Sequence, residues 1–267
     1  MNFQNLFSIE GKVALVTGGS RGIGEMIAAG FLAHGAKVYI SSRKAVVCDA
    51  TAARLANEFG GECVSIPANL AEIDGIDGVV TEIEKHEDHV DILVNNAGVS
   101  WGAPLGEFPE HGWDKVMDTN VKGVFFLTQR MLPLLEAAGT PQDPARVINV
   151  GSIDGIKSSM FDNYSYGPSK AAVHHLTRQL AAHLVRRNII VNGIAPGPFP
   201  TWMLSTGVGG GGDVDATNWQ TVADGNPRGR VGTAADIAGL AIFLSSRASG
   251  FTVGDTITCD GGAVAAS

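Results

Sequence analysis

The chain has 267 residues, 45% of them hydrophobic and 17% charged, with a formal net charge of −8 at pH 7. This length suits one α/β domain with a sizeable core. The negative charge repels nucleic acids and anionic membranes, so we expect neither as a partner. The amino terminus shows no basic and apolar leader, which predicts a cytoplasmic protein. The three cysteines form no CxxC pair, and no metal site is predicted.

Short runs rich in β-branched residues alternate with helical patterns along the chain. The predicted strands are Lys12–Thr17, Lys37–Ser42, Cys63–Pro67, Asp91–Asn95, Arg146–Val150, Ile189–Ile194 and Thr256–Cys259. Apolar residues at three- and four-residue spacing predict helices over Glu25–Ala33, Trp113–Ala137 and Ser169–Arg187. This alternation is typical of a Rossmann-type, doubly wound α/β fold: a seven-stranded parallel sheet with helices on both faces. We expect a single domain over residues 1–267.

One segment departs from this alternation. Gly197–Gly232 contains GVGGGGDVD, several prolines and little periodicity, and it directly follows a predicted strand. Long loops inside compact domains are usually functional or disordered. We interpret this lid segment as a mobile cover over a ligand, with a short helix around Trp202. The alternative is a flexible surface loop without function.

A glycine-rich motif, TGGSRGIG, connects the first predicted strand to the first helix at Thr17–Gly24. Glycines at such a turn let backbone N–H groups approach a pyrophosphate at a helix amino terminus. The flanking strand and helix supply the context that a dinucleotide-binding motif requires. The candidate cofactor-binding residues here are Gly18, Ser20, Arg21, Gly22, Ile23 and Gly24.

The end of the second strand indicates which dinucleotide binds. An acidic residue at this position would bind the ribose 2′-hydroxyl of NAD, whereas a 2′-phosphate requires cations. The chain reads Ser41-Ser42-Arg43-Lys44, without a carboxylate, and Arg21 lies in the nearby glycine-rich loop. We therefore predict NADP(H) as the cofactor, bound in part by Arg43. The alternative is that both arginines are ordinary solvated charges.

Tyr166 and Lys170 are four residues apart at the start of a helical pattern, which places them on one helix face. A free tyrosine has a pKa of about 10, too high for efficient proton exchange at neutral pH. A neighbouring ammonium favours the phenolate, so we predict that Lys170 lowers the pKa of Tyr166. Pro168 is tolerated only in the first turn of the helix.

With NNAG at Asn95–Gly98, Gly151–Ser152 and Pro196–Gly197, these motifs make the chain resemble the short-chain dehydrogenase/reductase family over essentially its full length. The resemblance implies that Tyr166 is the general acid in reduction and that Ser152 hydrogen-bonds the substrate carbonyl. It further implies that Lys170 supports Tyr166 and binds the nicotinamide ribose, and that Asn120 kinks its helix and anchors a relay water. Tyr164 has no lysine four residues later and is interpreted as a packing or pocket residue.

The same resemblance implies the remaining cofactor contacts. These candidates are Asn69, Leu70, Asn96, Ala97, Gly98, Pro196, Gly197 and Thr201, together with Tyr166 and Lys170. Two positions depart from the family pattern. Asn69 replaces the usual aspartate, although an amide oxygen still accepts from adenine, and the interval from Ser152 to Tyr166 is one residue longer than usual.

The predicted reaction is hydride transfer between NADP(H) and a small-molecule carbonyl or alcohol. Several segments look most like an NADPH-dependent 3-oxoacyl reductase. We expect an apolar pocket, because large apolar residues fall in the pocket and lid sequences. They are Trp101, Met160, Phe161, Phe199, Trp202 and Met203. The alternatives are a polyol or sugar dehydrogenase, a hydroxysteroid dehydrogenase, or a non-catalytic cofactor-binding sensor. The resemblance also implies a homotetramer or homodimer.

Overall fold

A computed structural model describes residues 3–267, so the first two residues of the predicted domain lie outside it. Within the described residues, seven parallel strands form one sheet in the order β3-β2-β1-β4-β5-β6-β7. The strands are β1 (Val13–Thr17), β2 (Lys37–Ser41), β3 (Cys63–Ser65), β4 (Ile92–Asn95), β5 (Ala145–Val150), β6 (Ile189–Pro196) and β7 (Thr256–Cys259). The predicted fold class is confirmed.

Helices cover both faces of this sheet. They are α1 (Gly22–Ala33), α2 (Ala45–Phe59), α3 (Ile73–Glu84), α4 (Glu110–Met117), α5 (Gly123–Ala138), α6 (Tyr166–Leu184), α7 (Trp202–Gly207), α8 (Trp219–Asp224) and α9 (Ala234–Ser245). Successive strand residues point to opposite faces. Ala14 and Val16 therefore pack in one core with α1, α2 and α9, whereas Val13 and Leu15 pack in a second core with α3, α5 and α6.

The predicted helix Trp113–Ala137 is interrupted in the structure. A π-helical turn at Asp118–Lys122 separates α4 from α5. The apolar periodicity continues across the turn and does not reveal the break, which falls where the family resemblance implied a kink at Asn120. Asn120 lies inside this turn and is fully buried.

The lid segment has more regular structure than its sequence predicted. The short helix expected around Trp202 is present as α7, and α8 is a second helix that the glycine-rich pattern did not indicate. Between them, Ser205 Oγ donates to the carbonyl oxygen of Asp213 at 3.0 Å and hydrogen-bonds Thr217 Oγ1 at 2.6 Å. These side-chain hydrogen bonds thus close the part of the lid segment that lies between α7 and α8.

The strand order reverses between β1 and β4. The connections leaving these two strands run to opposite sides, which opens a crevice at their carboxyl ends. In doubly wound sheets, this crevice is where ligands bind. The fold therefore predicts that ligand-binding residues follow β1, β4, β5 and β6.

Candidate active site

Thr17 connects the two strands that border the crevice. Its hydroxyl donates to the Val94 carbonyl at 3.1 Å and accepts from the backbone N–H groups of Asn96, at 2.9 Å, and Ala97, at 3.0 Å. The side-chain amide of Asn96 donates to the Thr17 carbonyl at 2.8 Å. These hydrogen bonds fix the glycine-rich loop against the NNAG loop, so two of the predicted cofactor-binding loops share one framework.

The glycine-rich loop requires its glycines. Gly18 and Gly22 have φ angles of +64° and +60°, in the left-handed region that L side chains rarely adopt. A Cβ atom on Gly18 would lie 2.8 Å from the amide nitrogen of Asn96, and one on Gly24 would lie 2.4 Å from the Gly18 carbonyl oxygen. The loop therefore packs closely on the NNAG loop and on itself, with Ser20 buried and Ile23 packed on the core.

The end of β2 offers unpaired polar groups for a 2′-phosphate. The hydroxyls of Ser41 and Ser42 are buried and have no hydrogen-bond partner within the described part of the chain. Arg43 is exposed, and neither it nor Arg21 forms an ion pair with a described carboxylate. The Arg21 guanidinium instead lies 4.8 Å from the centre of the Trp202 ring. This donor set fits a phosphorylated ribose.

The segment after β3 carries Asn69, the predicted adenine contact. The Asn69 amide nitrogen donates to the Glu72 carboxylate at 2.7 Å, and its amide oxygen lies 3.4 Å from the N–H of Ala71. The amide oxygen retains accepting capacity, as an adenine contact requires. The Leu70 side chain is buried in the core, so only its backbone is available to a cofactor.

Ser152 and Tyr166 come together although 14 residues separate them. Ser152 lies just after β5 and is 8% exposed. Tyr166 is the first residue of α6, and the Ser152 side chain lies near enough to its hydroxyl to favour the phenolate. The loop between them absorbs the extra residue noted in the sequence. Two hydroxyls therefore meet at the carboxyl end of β5, where a carbonyl oxygen can contact both.

Lys170 follows Tyr166 by one turn and reaches back into the sheet. Its ammonium nitrogen donates to the Val150 carbonyl at 2.9 Å and lies 5.5 Å from the centre of the Tyr166 ring. Burial lowers the pKa of Lys170 to about 8. A Cβ atom on Gly98 would lie 3.4 Å from this nitrogen, which places the NNAG loop beside the pair.

The predicted pKa of Tyr166 was wrong in direction. Its pKa is raised to about 12, first by burial and then by the carboxylate of Asp154, while the hydrogen bond with Ser152 opposes the shift. Burial disfavours the phenolate because a charge loses its hydration, and this effect exceeds that of a lysine 5.5 Å away. In the protein alone, Tyr166 is a neutral phenol at physiological pH.

Asn120 connects three parts of the site. Its side-chain oxygen accepts from the N–H of Val99 at 2.9 Å, and its nitrogen donates to the Val99 carbonyl at 3.0 Å and to Ser169 Oγ at 3.0 Å. The π-helical turn thus joins the NNAG loop to α6. The structure places Asn120 beside the Tyr166–Lys170 pair.

The last predicted cofactor residues lie after β6. Pro196 ends that strand, and the N–H of Gly197 donates to the Cys259 carbonyl at 3.0 Å. Thr201 caps α7 by accepting from the N–H of Leu204 at 3.2 Å. A Cβ atom on Gly22 would lie 3.2 Å from the Thr201 methyl group, so the lid segment begins against the glycine-rich loop.

Comparisons with known proteins agree with this geometry. A family model described as enoyl-(acyl carrier protein) reductase matches residues 18–264. The chain is 45% identical over 256 residues, covering 96% of this chain and 97% of the relative, to the rhamnolipids biosynthesis 3-oxoacyl-[acyl-carrier-protein] reductase of Pseudomonas aeruginosa. The chain belongs to the short-chain dehydrogenase/reductase family. It is therefore an oxidoreductase that acts on CH–OH or C=O groups.

A solved structure and a further relative extend this comparison. The solved Pseudomonas aeruginosa RhlG/NADP active-site complex superposes with a TM-score of 0.90 at 44% identity, covering 98% of this chain and 100% of that chain. Gluconate 5-dehydrogenase of Gluconobacter oxydans is 36% identical, over 98% of this chain and 98% of that protein. Relatives named for acyl and for sugar-acid substrates therefore share this fold.

Most of the apolar side chains predicted for the pocket and lid of this short-chain dehydrogenase/reductase are at least partly exposed, with one correction to the predicted set. Met160, Phe161 and Trp202 are exposed. A Cβ atom on Gly207 of α7 would lie 3.6 Å from the Phe161 ring. Phe199, however, is only 2% exposed and packs in the core, because it lies on the inner side of the chain after β6.

Trp101 and Met203 complete the predicted apolar set, and both are half-buried. The Trp101 ring packs edge-on against His111, with their centres 4.9 Å apart. Tyr164 is exposed, and its hydroxyl donates to Asp162 at 2.8 Å. This placement keeps Tyr164 away from the Ser152–Lys170 group. Within residues 3–267, no helix is both long and apolar enough to cross a membrane.

Sequence reasoning did not identify His174, which lies one turn after Lys170 on α6. It is 6% exposed, and its Nε2 atom accepts from the backbone N–H of Ser152 at 3.4 Å. The spacing in the sequence could have indicated it, because residues four apart on a helix share a face and His174 therefore lies on the face of Lys170. The contact with Ser152, 22 residues away, required the fold.

Proposed function

We propose that this chain is an NADPH-dependent reductase of 3-oxoacyl groups, producing a secondary alcohol. The observation that carries the proposal is the meeting of the Ser152 and Tyr166 hydroxyls above the buried Lys170 ammonium, at the edge of the dinucleotide crevice. NADPH, when bound, supplies a hydride to the carbonyl carbon. The protein must then polarise the carbonyl oxygen and protonate it.

The protein's own groups divide this work. The Ser152 hydroxyl donates a hydrogen bond to the substrate carbonyl oxygen. The phenol of Tyr166 gives its proton to the same oxygen as negative charge develops there, and it recovers a proton from solvent. The Lys170 ammonium stabilises the phenolate left behind and binds the nicotinamide ribose. Because the pKa of Tyr166 is raised, its proton is present at neutral pH, when ketone reduction needs it.

The polar groups at the end of β2, together with Arg21, favour NADPH over NADH as the cofactor. The loops with Gly18 and Gly98 would hold the dinucleotide, while Arg21, Arg43 and the unpaired serine hydroxyls after β2 would meet the 2′-phosphate. A charge-assisted hydrogen bond contributes about 1.5–3 kcal/mol. One such contact corresponds to roughly 10–100-fold in affinity. The RhlG complex, to which this chain is similar, contains NADP.

An apolar entrance supports an acyl substrate over a sugar acid. Met160 and Phe161, in the loop before α6, and Trp202, at the start of α7, offer exposed apolar surface. A sugar acid would need a cation for its carboxylate and several polar partners for its hydroxyls. The second candidate, reduction of a keto sugar acid, is supported by the 36% identity to gluconate 5-dehydrogenase. We further propose that the lid segment, residues 197–232, closes over the substrate.

The decisive experiment measures kcat/KM for 3-oxoacyl thioesters, 5-ketogluconate and a ketosteroid, each with NADPH and with NADH. We expect the highest value for the thioesters, and a preference for NADPH of at least roughly 10-fold. Arg43→Ala should reduce this preference, whereas Arg186→Ala, which removes an exposed charge after α6, should not. Equal values with both cofactors would refute the cofactor assignment, and a higher value for 5-ketogluconate would favour the second candidate.

We also propose a homodimer or homotetramer in a cytoplasmic setting. Trp113 and Phe125, on α4 and α5, are exposed apolar residues, as are Phe251 and Val253 beside β7. Exposed apolar patches of this kind are typical of protein interfaces.

A further inference from the structure

The turn that carries Ser152 is wrapped around the His174 imidazole. A Cβ atom on Gly151 would lie 2.0 Å from His174 Nε2, and one on Gly155 would lie 2.8 Å from Cε1. Any side chain at either glycine would therefore displace the ring or the turn. Only glycine allows the backbone on both sides of Ser152 to approach the imidazole this closely.

Ser152 makes three hydrogen bonds at this turn. Its backbone N–H donates to His174 Nε2 at 3.4 Å, its carbonyl accepts from the N–H of Gly155 at 3.0 Å, and its hydroxyl oxygen accepts from the N–H of Asp154 at 3.1 Å. Among the described residues, His174 is the acceptor for the Ser152 N–H. Without it, a buried donor would be left unsatisfied.

The imidazole must be neutral to accept the hydrogen bond from the Ser152 N–H. A protonated ring has no lone pair on Nε2 and would present a donor to a donor. Burial, followed by the cations Lys170 and Arg178, lowers the pKa of His174 to about 4. The acceptor state is therefore the stable one at physiological pH, with the ring proton on Nδ1.

We propose that His174 is a positioning residue that holds the backbone of Ser152, and thereby aims the Ser152 hydroxyl at Tyr166 and at the substrate carbonyl. The functional part of this inference rests on the proposed roles of Ser152 and Tyr166. The hydrogen bond itself does not. His174 contacts the turn that carries Ser152, so its loss should affect the rate of the chemical step more than substrate or cofactor binding.

Two substitutions separate positioning from packing. His174→Leu keeps an apolar volume and removes the acceptor, whereas His174→Gln restores an acceptor at a similar distance from the backbone. We expect His174→Leu to lower kcat by about 10–100-fold with little change in KM, as for loss of an oriented donor in the transition state. His174→Gln should recover much of that loss. His175→Leu, at the exposed neighbouring histidine, is the matched control and should leave kcat unchanged.

A second set of measurements needs neither cofactor nor turnover. Amide hydrogen exchange over residues 151–155 should be faster in His174→Leu than in the unmodified protein, and slower again in His174→Gln. Nitrogen NMR of the unmodified protein should show an unprotonated Nε2 on His174 at neutral pH. A protonated Nε2 would overturn the proposal even if the leucine variant failed to fold.

The two sets of results also separate this inference from the proposed function. Unchanged kcat and unchanged exchange in His174→Leu would refute the positioning role. If the unmodified protein reduced no carbonyl while the exchange and tautomer results held, the proposed reaction would fail and the hydrogen bond to Ser152 would stand. Equal losses of kcat in the leucine and glutamine variants would show that packing alone matters.

Discussion

Burial sets the protonation of the two titratable residues at the centre of the site. It raises the pKa of Tyr166 to about 12 and lowers that of Lys170 to about 8, because both charged forms lose hydration. At neutral pH the site therefore holds a neutral phenol and a protonated amine. This combination suits proton donation to a carbonyl, whereas alcohol oxidation needs the phenol to lose its proton first.

Tyr166→Phe tests the proton donor directly. The substitution removes the hydroxyl and keeps the ring, so NADPH binding should persist while kcat falls by about 10²–10⁴-fold, the usual contribution of a positioned acid. Tyr164→Phe is the matched control, because its hydroxyl contacts Asp162 outside the site. Steady-state kinetics and calorimetric binding of NADPH measure both effects. Loss of turnover in Tyr164→Phe but not in Tyr166→Phe would show that Tyr166 is not the proton donor.

The lowered pKa of Lys170 predicts that activity falls at alkaline pH. Its lowered pKa means that the amine loses its charge as pH rises through about 8, whereas Tyr166 keeps its proton throughout that range. The kcat/KM for NADPH, which reports the cofactor-free enzyme, should be level below pH 7 and should fall above about pH 8. Lys170→Met should have a low, level profile. A fall that begins only near pH 10 would contradict this assignment.

At the scale of elements, helix ends and helix breaks bring the site residues together. α6 begins at Tyr166, which places Pro168 in its first turn and directs Lys170 back to β5. The π-helical turn between α4 and α5 places Asn120 against Val99 and Ser169. Each device joins two elements at the carboxyl end of the sheet.

The start of α7 connects the lid segment to the cofactor loop through Arg21 and Trp202. Their contact restrains the guanidinium beside the glycine-rich loop, so it would reduce the conformational freedom lost if NADPH binds there as proposed. Trp202→Leu should raise the Kd for NADPH by about 2–10-fold, the range of a partly exposed cation–π contact. Trp202→Phe keeps an aromatic face and should bind nearly normally. Calorimetry measures both Kd values. An unchanged Kd for NADPH in the leucine variant would refute a role of the Arg21–Trp202 contact in cofactor binding.

Across the whole molecule, the two ends of the sheet differ in character. The amino end carries an ionic cluster, in which Lys12 pairs with Asp143 at 2.8 Å and buried Arg146 contacts Asp143 and the Ser246 carbonyl. The carboxyl end carries the crevice, the unpaired serine hydroxyls and the Tyr166 group. The groups proposed for binding and chemistry thus lie at one end of the sheet.

Assembly into a dimer or tetramer is the prediction at this scale. Stable interfaces bury about 800 Å² on each partner, and the fully exposed Phe251 beside β7 is well placed to contribute. Light scattering at micromolar concentration should give a mass above the 27.7 kDa of one chain. Phe251→Asp should shift the mass downwards, whereas Val46→Asp, on α2, should not. A monomeric unmodified protein would contradict the prediction.

The sequence alone determined the fold class, the seven strands and the segments that form the site. Strand and helix periods are local, and motifs such as TGGSRGIG or the Tyr166–Lys170 spacing carry their meaning within one turn or loop. The identity of the expected catalytic group therefore needed no coordinates. The same local reasoning extended one helix through the π-helical turn, where the apolar pattern continues unbroken.

Only the tertiary structure decided the environment of those residues. It buried Phe199 in the core, joined Asn120 to Ser169 across 49 residues and brought His174 under the backbone of Ser152. It also reversed the expected direction of the Tyr166 pKa. The reason is physical: hydration loss and contacts between distant segments depend on how completely the folded chain excludes water, and residue spacing along the chain does not contain that information.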